Sequence, residues 1–512
     1  MNSTNNKIIK SSMYVMIVVL LGKILGFLKQ MVIAWKFGTN PSIDVYFTSD
    51  SFTCMLGQIL ILSIPPAIVT IYLKLKNDKE KESKFISSTF IFFIIIGIFL
   101  SVINCIFSTP LSNVLGISYD IGQKANLSRY ITLLSPVILF SCIASVSSGV
   151  LQSKNKFLQD KFLGIFLSIS IILSLIIFEG RLKVNSLLFG FLFGYFIYTA
   201  MMLILLFKNI NIKPCNPFKN DTFKKFLKIL IPLLIGTSIV DFSHLIDKII
   251  ASSLNAGSVS ALYYSQIICS DLVNSVIISS IGLVLLPKLT MDVDNKPKIE
   301  IINSIRKIFS IAIPIILLIT ILYIFDGEYL IKLVFERGEF NQNSTLMVSK
   351  CMFGYSVGLV FVFIKEILSR FFYALNDTFS PMISNVIGIV INIILSIILS
   401  KKIGVQGIAY ATSISIVISV IILLILLKKH INLEKLLNLD FIIEIIKYII
   451  IMIMEFIIMN FASTISFNSY VYELVILALI SIIVFITMSY LLKINLYYEF
   501  KNIKQKRKGV LK

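Results

Sequence analysis

The feature that most constrains this chain is its succession of long apolar runs, each about 20 residues in length. A run of that length spans the hydrocarbon of a bilayer as a helix, because a helix rises about 1.5 Å per residue. Only helices and closed barrels satisfy all of their backbone hydrogen bonds inside lipid. We therefore predict an all-α polytopic membrane protein with about fourteen transmembrane helices, at 13–35, 44–73, 86–108, 127–151, 162–178, 187–207, 226–253, 259–286, 308–325, 345–373, 379–400, 405–427, 441–463 and 470–492.

Lysine and arginine are unevenly distributed among the loops between these runs. They concentrate at the N-terminus, in the even-numbered loops and in the C-terminal tail, whereas the odd-numbered loops 254–258 and 466–469 have none. By the positive-inside rule, both termini are cytoplasmic and the number of spans is even. The excess of 47 Lys and Arg over 27 Asp and Glu therefore reflects membrane topology, and no nucleic-acid partner is expected.

Two parts of the chain resemble each other. The segment from Ala34 to Phe47 has the same spacing as that from Ala251 to Tyr264, and both form the turn between an odd and an even span. This repeat predicts an N-terminal lobe of spans 1 to 6, a cytoplasmic linker, a C-terminal lobe of spans 7 to 12, and a final helix pair with a basic tail. Bilobed repeats place a substrate cavity between the halves and rock one half against the other, which indicates a transporter. The boundaries are 1–208, 209–221, 222–430 and 431–512.

The first predicted span carries two lysines, Lys23 and Lys29, with Gln30 beside the second. Ionisable groups in hydrocarbon cost several kcal/mol, so they usually face a wet or anionic site. Lys23 also lies near enough to the end of the span for its stem to reach the interface. At the start of span 2, Asp44 has two open interpretations, which are orienting a nearby lysine and capping the helix.

Five segments of the chain carry distinctive motifs, namely Leu25-Gly26-Phe27-Leu28-Lys29, Ile231–Tyr264, Phe335-Glu336-Arg337-Gly338-Glu339-Phe340, Arg370–Ala374 and Gly404–Ser413. These segments resemble motifs of the MurJ or MviN family of lipid II flippases. The first-span pattern of that family is S-R-x-L-G-x-x-R-D, followed by A-x-x-F-G and D-A-F-F. The resemblance implies the fold of the multidrug/oligosaccharidyl-lipid/polysaccharide exporter superfamily, fourteen spans, an inner-membrane location and no chemical reaction.

The chain also departs from this family pattern. Gly22-Lys23 stands where the family has Ser-Arg, and Lys29-Gln30 where it has Arg-Asp. Ser265-Gln266-Ile267 stands where the family has Ala-Asp-Arg, so that a cavity arginine is absent. Arginine binds a diphosphate with two parallel hydrogen bonds, whereas lysine acts as a point charge. We predict that Lys23 and Lys29 bind the substrate diphosphate, and that Gln30, Asp44 and Gln266 are polar residues of the cavity.

The resemblance further implies a cation site in the C-terminal lobe. Asp247 aligns with its carboxylate, completed by Asn392 and Thr412, and Ser396 stands where some family members have a second carboxylate. Such oxygen ligands suit Na⁺, which is a hard cation. The alternative is a structural pair of Asp247 with Lys248 or with Asn392. Apart from Na⁺ or H⁺ as a coupling ion, we expect no cofactor and no other metal.

The predicted function is translocation of a polyprenyl-diphosphate-linked cell-wall precursor, lipid II, from the inner to the outer leaflet during peptidoglycan biosynthesis. The alternative is a flippase for another undecaprenyl-linked polysaccharide unit, and a cation-coupled drug exporter is weaker because the first-lobe candidates are basic. A membrane-embedded glycosyltransferase would need a larger outer loop with convergent acids. We expect a monomeric, multi-pass transporter of the bacterial cytoplasmic membrane, in contact with membrane lipid and with the cell-wall synthesis machinery as a candidate partner.

Overall fold

The protein is described from a computed structural model that covers residues 2–75, 78–210, 216–217, 220–271, 273, 298–375, 377–430, 439–462 and 470–494. Over these residues the secondary structure is helical and contains no strand, which confirms the all-α membrane class. The α-helices are α1 Asn2–Phe37, α2 Pro41–Leu75, α3 Lys79–Ile106, α4 Ser108–Leu115, α5 Ile121–Leu134, α6 Pro136–Ser153, α7 Leu163–Leu182, α8 Asn185–Phe207, α9 Asp221–Ser252, α10 Ser258–Gln266, α11 Lys298–Phe325, α12 Gly327–Phe335, α13 Gln342–Ser356, α14 Leu359–Ala374, α15 Phe379–Ile403, α16 Gln406–Leu427, α17 Leu439–Ala462 and α18 Tyr470–Leu491.

Eleven helices of the described part are long and apolar enough to cross a membrane, and the pair α13 and α14, bent by 44°, makes twelve if it is one span. The predicted total of fourteen is therefore not confirmed. Half of the span predicted at 259–286, residue 272 and residues 274–286, lies outside the described residues. The span predicted at 441–463 is present as helix α17, but it is not among the eleven. The linker 209–221 and the basic tail after residue 494 also lie mostly or wholly outside the described residues.

The chain divides into two compact units. Unit 1 contains Met1–Ser260 together with the short segment Arg337–Phe340, and unit 2 contains Ala261–Glu336 and Asn341–Lys512. Helix α9 thus belongs by its contacts to unit 1, where it packs against α2. The predicted lobes are defined by the internal sequence repeat, whereas the two units are defined by contacts. The boundaries of the lobes therefore stay a prediction.

Unit 1 is organised around helix α2, which packs against α5, α6 and α9. Its neighbour α6 is lined by buried small residues, among them Ser141, Ser145 and Gly149. Small side chains let helix backbones approach closely, which is how helices associate where lipid removes the usual hydrophobic driving force. At one end of the unit, aromatic rings of α3 and α9 interlock, with 5.7 Å between the centroids of Phe85 and Phe226. Helix α2 is thereby held by several neighbours at once.

The turn after α1 packs closely against the segment Arg337–Phe340 within unit 1. The Glu339 backbone N–H donates to the Trp35 carbonyl at 3.0 Å. Gly338 adopts a positive φ of 60°, and a Cβ at this position would overlap Trp35. Glycine is the residue that takes this backbone conformation without steric cost. The glycine of the F-E-R-G-E-F motif therefore serves close packing.

Several carboxylates in the described part of unit 2 are buried or partly buried, and most of them accept a hydrogen bond from a hydroxyl group. Glu444 of α17 accepts from Ser310 and from Tyr448, at 2.8 and 2.7 Å. Glu473 of α18 accepts from Tyr329 at 2.6 Å. Buried polar groups need such partners because an unsatisfied one loses its hydration without compensation. The helix pair α17 and α18 is thus joined to α11 and α12 by polar as well as apolar contacts.

Asp326, in the turn between α11 and α12, is the exception among these carboxylates. Its side chain is 4% exposed, and neither carboxylate oxygen has a hydrogen-bond partner within the described part of the chain. Burial raises the pKa of Asp326 to about 7, and the neighbouring Glu473 carboxylate acts in the same direction. The nearest charged residues on α12 are Glu328 and Lys332, and Lys332 lies over the Tyr470 ring.

We predict that replacing Gly338 with alanine lowers stability by about 1 to 3 kcal/mol, because alanine would be strained at this φ and would overlap Trp35. The matched control is Gly180→Ala on helix α7, where an added Cβ meets no atom within 4 Å. That control should be neutral or slightly stabilising, since alanine favours helix. Thermal unfolding of the purified proteins in detergent tests this, and equal melting temperatures for the two variants would contradict it.

We also predict that stability falls as pH rises from about 4 to about 7, in proportion to the titration of Asp326. Between its unfolded pKa of about 3.9 and its native pKa, the native state holds a proton that the unfolded state has released. Asp326→Asn removes this dependence, so its melting temperature should exceed that of the wild type by a margin that grows with pH. The exposed Glu328→Gln is the control. A difference in melting temperature between Asp326→Asn and the wild type that is the same at pH 5 and pH 8 would contradict a raised pKa of Asp326.

Candidate functional site

The two lysines predicted to bind diphosphate both lie on helix α1, at different depths. Lys23 is exposed, whereas Lys29 is partly buried. They are separated by six residues, which is about 600° of helical rotation, so their side chains leave the helix roughly 120° apart. The surroundings of the two lysines therefore differ, and Lys29 is the one that faces other charged residues.

Lys29 belongs to a group of polar residues inside unit 1, which we call the lysine–aspartate cluster: Lys29 of α1, Asp50, Ser51 and Cys54 of α2, and Lys248 of α9. Asp50 is 7% exposed and Lys248 is 8% exposed. Both ammonium groups interact electrostatically with the Asp50 carboxylate. The Cys54 thiol donates to Asp50 Oδ1 at 3.3 Å, and Lys248 Nζ donates to Ser51 Oγ. Three helices thus bring two cations and one anion together.

Sequence reasoning missed two members of this cluster as site residues. From the sequence, Asp50 receives no site role, and Lys248 is considered only as a structural partner of Asp247. The signal was available, because both are ionisable residues inside long apolar runs, which is the criterion that selected Lys29. What the sequence could not provide was the packing of α9 against α2, which places Lys248 beside a residue nearly 200 positions earlier in the chain.

Asp44 has a different role from capping its own helix. The first turn of α2 is capped by Asn40, whose Oδ1 accepts from the Ile43 N–H at 3.0 Å. The Asp44 carboxylate instead accepts the backbone N–H groups of Gly257 and Ser260, at 2.7 and 2.8 Å. Asp44 thereby accepts hydrogen bonds from backbone N–H groups at the start of α10. The first N–H groups of a helix have no acceptor within the helix and need such a partner. These contacts are structural, and a cavity role for Asp44 stays a prediction.

The other predicted cavity residues lie in separate units. Gln30, next to Lys29 on α1, is 5% exposed and belongs to unit 1. Gln266 is the last residue of α10, is partly buried and belongs to unit 2. The role of both amides in the cavity stays a prediction.

The four residues of the predicted cation site also belong to different units, and the site stays a prediction. Asn392 on α15 and Thr412 on α16 lie together, because Asn392 Nδ2 donates to Thr412 Oγ1 at 3.1 Å. Ser396, one turn after Asn392, is fully buried. Asp247, which is 5% exposed, lies on α9 in unit 1. Within the described residues no group of three or more His, Cys, Asp or Glu side chains could hold a metal ion.

The lysine–aspartate cluster is suited to binding an anion. Its formal charge is +1 when both ammonium groups and the carboxylate are ionised, and it is enclosed by helices rather than by water. Electrostatic attraction is stronger in such a medium than in bulk water. The Lys29 and Lys248 ammonium groups each offer three donors, and they can pair with phosphate oxygens as point charges.

Comparison with known proteins gives a consistent result. The protein-family model described as "Lipid II flippase MurJ" matches residues 33–482. The relative from Buchnera aphidicola subsp. Acyrthosiphon pisum, named "Probable lipid II flippase MurJ", is 25% identical over 479 residues, which is 91% of this chain and 93% of the relative. The relative of the same name from Borreliella burgdorferi is 27% identical over 429 residues, or 81% and 82% of the two chains.

Solved structures agree with this at the level of the fold. The structure titled "Lipid II flippase MurJ, inward closed conformation" has a TM-score of 0.79 at 24% identity and covers 93% of this chain and 97% of its own. An inward-facing multidrug resistance MATE transporter of the MOP superfamily has a TM-score of 0.65 at 14% identity, with 82% and 99% covered. Because the family model extends over most of its length, the chain belongs to the MurJ family of lipid II flippases, which are multi-pass membrane transporters and not enzymes.

Proposed function

We propose that this protein moves lipid II, a polyprenyl-diphosphate-linked cell-wall precursor, from the inner to the outer leaflet of the bacterial cytoplasmic membrane. The observation that carries the proposal is the lysine–aspartate cluster, a buried group with more cations than anions inside a membrane protein of this family. The relatives from Buchnera aphidicola and Borreliella burgdorferi are both named as probable lipid II flippases.

The chemistry of the substrate explains why such a group is needed. A lipid-linked saccharide has an anionic, hydrophilic headgroup that cannot cross about 30 Å of hydrocarbon unaided. A flippase must therefore offer a wet cationic cavity to the headgroup while the polyprenyl tail stays in lipid. Lys29 and Lys248 supply the cations for the diphosphate, and the exposed Lys23 supplies a further positive charge along the same helix as Lys29.

Transport proceeds by alternating access, in which the two repeat-related lobes open the headgroup cavity first to one side and then to the other. Gln30 and Gln266 hydrogen-bond the sugar or the phosphate, since an amide offers both donors and an acceptor. The driving force is the membrane potential or an ion gradient. For Na⁺, the oxygen ligands would come from Asp247, Asn392, Ser396 and Thr412, and H⁺ is the alternative coupling ion.

A second substrate is supported by a specific observation. The chain has Lys29-Gln30 where the family pattern has Arg-Asp, and Ser265-Gln266-Ile267 where that pattern has Ala-Asp-Arg. Lysine and arginine are not interchangeable at a site that binds phosphate with two parallel hydrogen bonds. The alternative substrate is therefore another undecaprenyl-diphosphate-linked saccharide, which shares the phosphates and the tail but not the sugar.

The orientation and the partners belong to the same proposal. The distribution of lysine and arginine between loops supports cytoplasmic termini. A cytoplasmic entry side fits a substrate that is completed on the inner leaflet, and it makes the cell-wall synthesis machinery the expected neighbour on the outer side. We propose that one chain suffices for transport.

The most direct test is complementation of a bacterial strain depleted of its own lipid II flippase. Expression of this protein should restore growth and prevent lysis, and lipid II should become accessible on the outer face of the membrane. Membrane insertion is verified separately by fractionation. Correct insertion without rescue would reject lipid II as the substrate and leave the other saccharide.

In the same strain, Lys29→Ala should abolish rescue. A hydrogen bond to a charged group contributes about 1.5–3 kcal/mol, so its loss weakens headgroup binding by about tenfold or more. The matched control is Lys402→Ala, an exposed lysine in the last turn of α15, which should leave growth unchanged. Lys29→Arg should retain part of the activity. Full rescue by Lys29→Ala would remove Lys29 from the diphosphate site.

A further inference from the structure

Asp50 occupies the centre of the lysine–aspartate cluster. Helix α1 contributes Lys29, α9 contributes Lys248, and both ammonium groups interact with the Asp50 carboxylate. Asp50 also accepts from Cys54, one turn later on α2, and the Tyr195 side chain of α8 interacts with both Asp50 and Cys54. All of these residues belong to unit 1. A single carboxylate is thus shared by two cations from different helices.

The empty site requires this carboxylate. An ammonium group taken out of water costs several kcal/mol unless an opposite charge lies near it. Lys248 is 8% exposed, its Nζ donates to the Oγ of Ser51, and the Asp50 carboxylate next to Ser51 interacts with its charge. Asp50 therefore acts as an internal counter-anion that compensates the two lysines when no substrate is present.

The same carboxylate opposes the substrate. A diphosphate linked to lipid and sugar carries about two negative charges, and like charges brought together in a buried site repel each other strongly. The diphosphate and Asp50 therefore compete for the same two ammonium groups. A carrier must release its substrate in every cycle, and each tenfold increase in affinity adds about 1.4 kcal/mol to the release step.

We propose that Asp50 is a specificity-determining residue that competes with the substrate diphosphate for Lys29 and Lys248, and so keeps headgroup affinity low enough for release. This inference rests on the proposed function, because it takes a diphosphate-linked lipid as the ligand. It adds a role for Asp50 in setting the strength of binding rather than in making the contact with the substrate. It also explains why a site with lysines carries a buried acid at its centre.

Two variants separate charge from structure. Asp50→Asn keeps the size of the side chain and an oxygen that can accept from Cys54, but it removes the negative charge. Asp50→Asn combined with Lys248→Gln removes one charge of each sign and restores the formal charge of the cluster to +1. Asp221→Asn is the control, since its carboxylate is exposed and lies on the same helix as Lys248.

The experiment measures the Kd for undecaprenyl diphosphate with the full-length protein in nanodiscs, and the transport rate in proteoliposomes. Asp50→Asn should lower Kd by about tenfold or more, as expected from the coupling of close charge pairs, and should slow turnover because release becomes slower. The double variant should return Kd to within about threefold of the wild type. Asp221→Asn should leave both quantities unchanged.

The outcomes distinguish this inference from the function on which it rests. If the wild type does not bind undecaprenyl diphosphate, the proposed function fails and Asp50 has no ligand to compete with. If the wild type binds and Asp50→Asn binds equally or more weakly, with an unchanged melting temperature, competition by Asp50 is wrong. If Asp50→Asn unfolds, the double variant decides: a wild-type Kd supports the role of charge balance, and a weaker one rejects it.

Discussion

The structure depends throughout on the need to satisfy polar groups where lipid and side chains, rather than water, surround them. The backbone meets this need by forming helices. The helix ends and the ionisable side chains must find individual partners, as Asp44 does by accepting two N–H groups at the start of α10. Glu444, Glu455 and Glu473 each accept from a hydroxyl on a neighbouring helix or turn. These contacts fix which helices lie side by side.

The need to satisfy buried polar groups also explains the lysine–aspartate cluster, and in this cluster we relate that need to function. Its lysines need a negative partner when the site is empty, and a diphosphate is a second possible partner for them. A transporter needs both states to be accessible, because it must bind and release its cargo in each cycle. The proposed competition between Asp50 and the substrate joins the energetics of the buried cluster to transport, without any chemical reaction.

The sequence predicted the general architecture and some of the site. Long apolar runs indicated helices of the membrane, and the motifs from Leu25 to Ser413 indicated the family, as the family model confirms. Lys29 was found because it is charged within an apolar run. Asp50 and Lys248 satisfy the same criterion but were not predicted as site residues, since nothing local indicates that they lie near Lys29. The total of fourteen spans was not confirmed, and half of the span at 259–286 lies outside the described residues.

The sequence by itself therefore determined that this is a membrane protein, that it is helical and to which family it belongs. These properties depend on the composition and order of residues along the chain. Only the tertiary structure decided which charges meet. From the sequence, Asp44 was a candidate cap of its own helix α2, but Asn40 caps that helix in the structure. The Asp44 carboxylate instead accepts a backbone N–H at the start of α10, which lies near α2. From the sequence, Lys29 is an ionisable residue within an apolar span. The packing of α1, α2 and α9 brings it near the Asp50 carboxylate, which also interacts with Lys248. Such pairings depend on contacts between residues far apart in the chain, which local patterns do not encode.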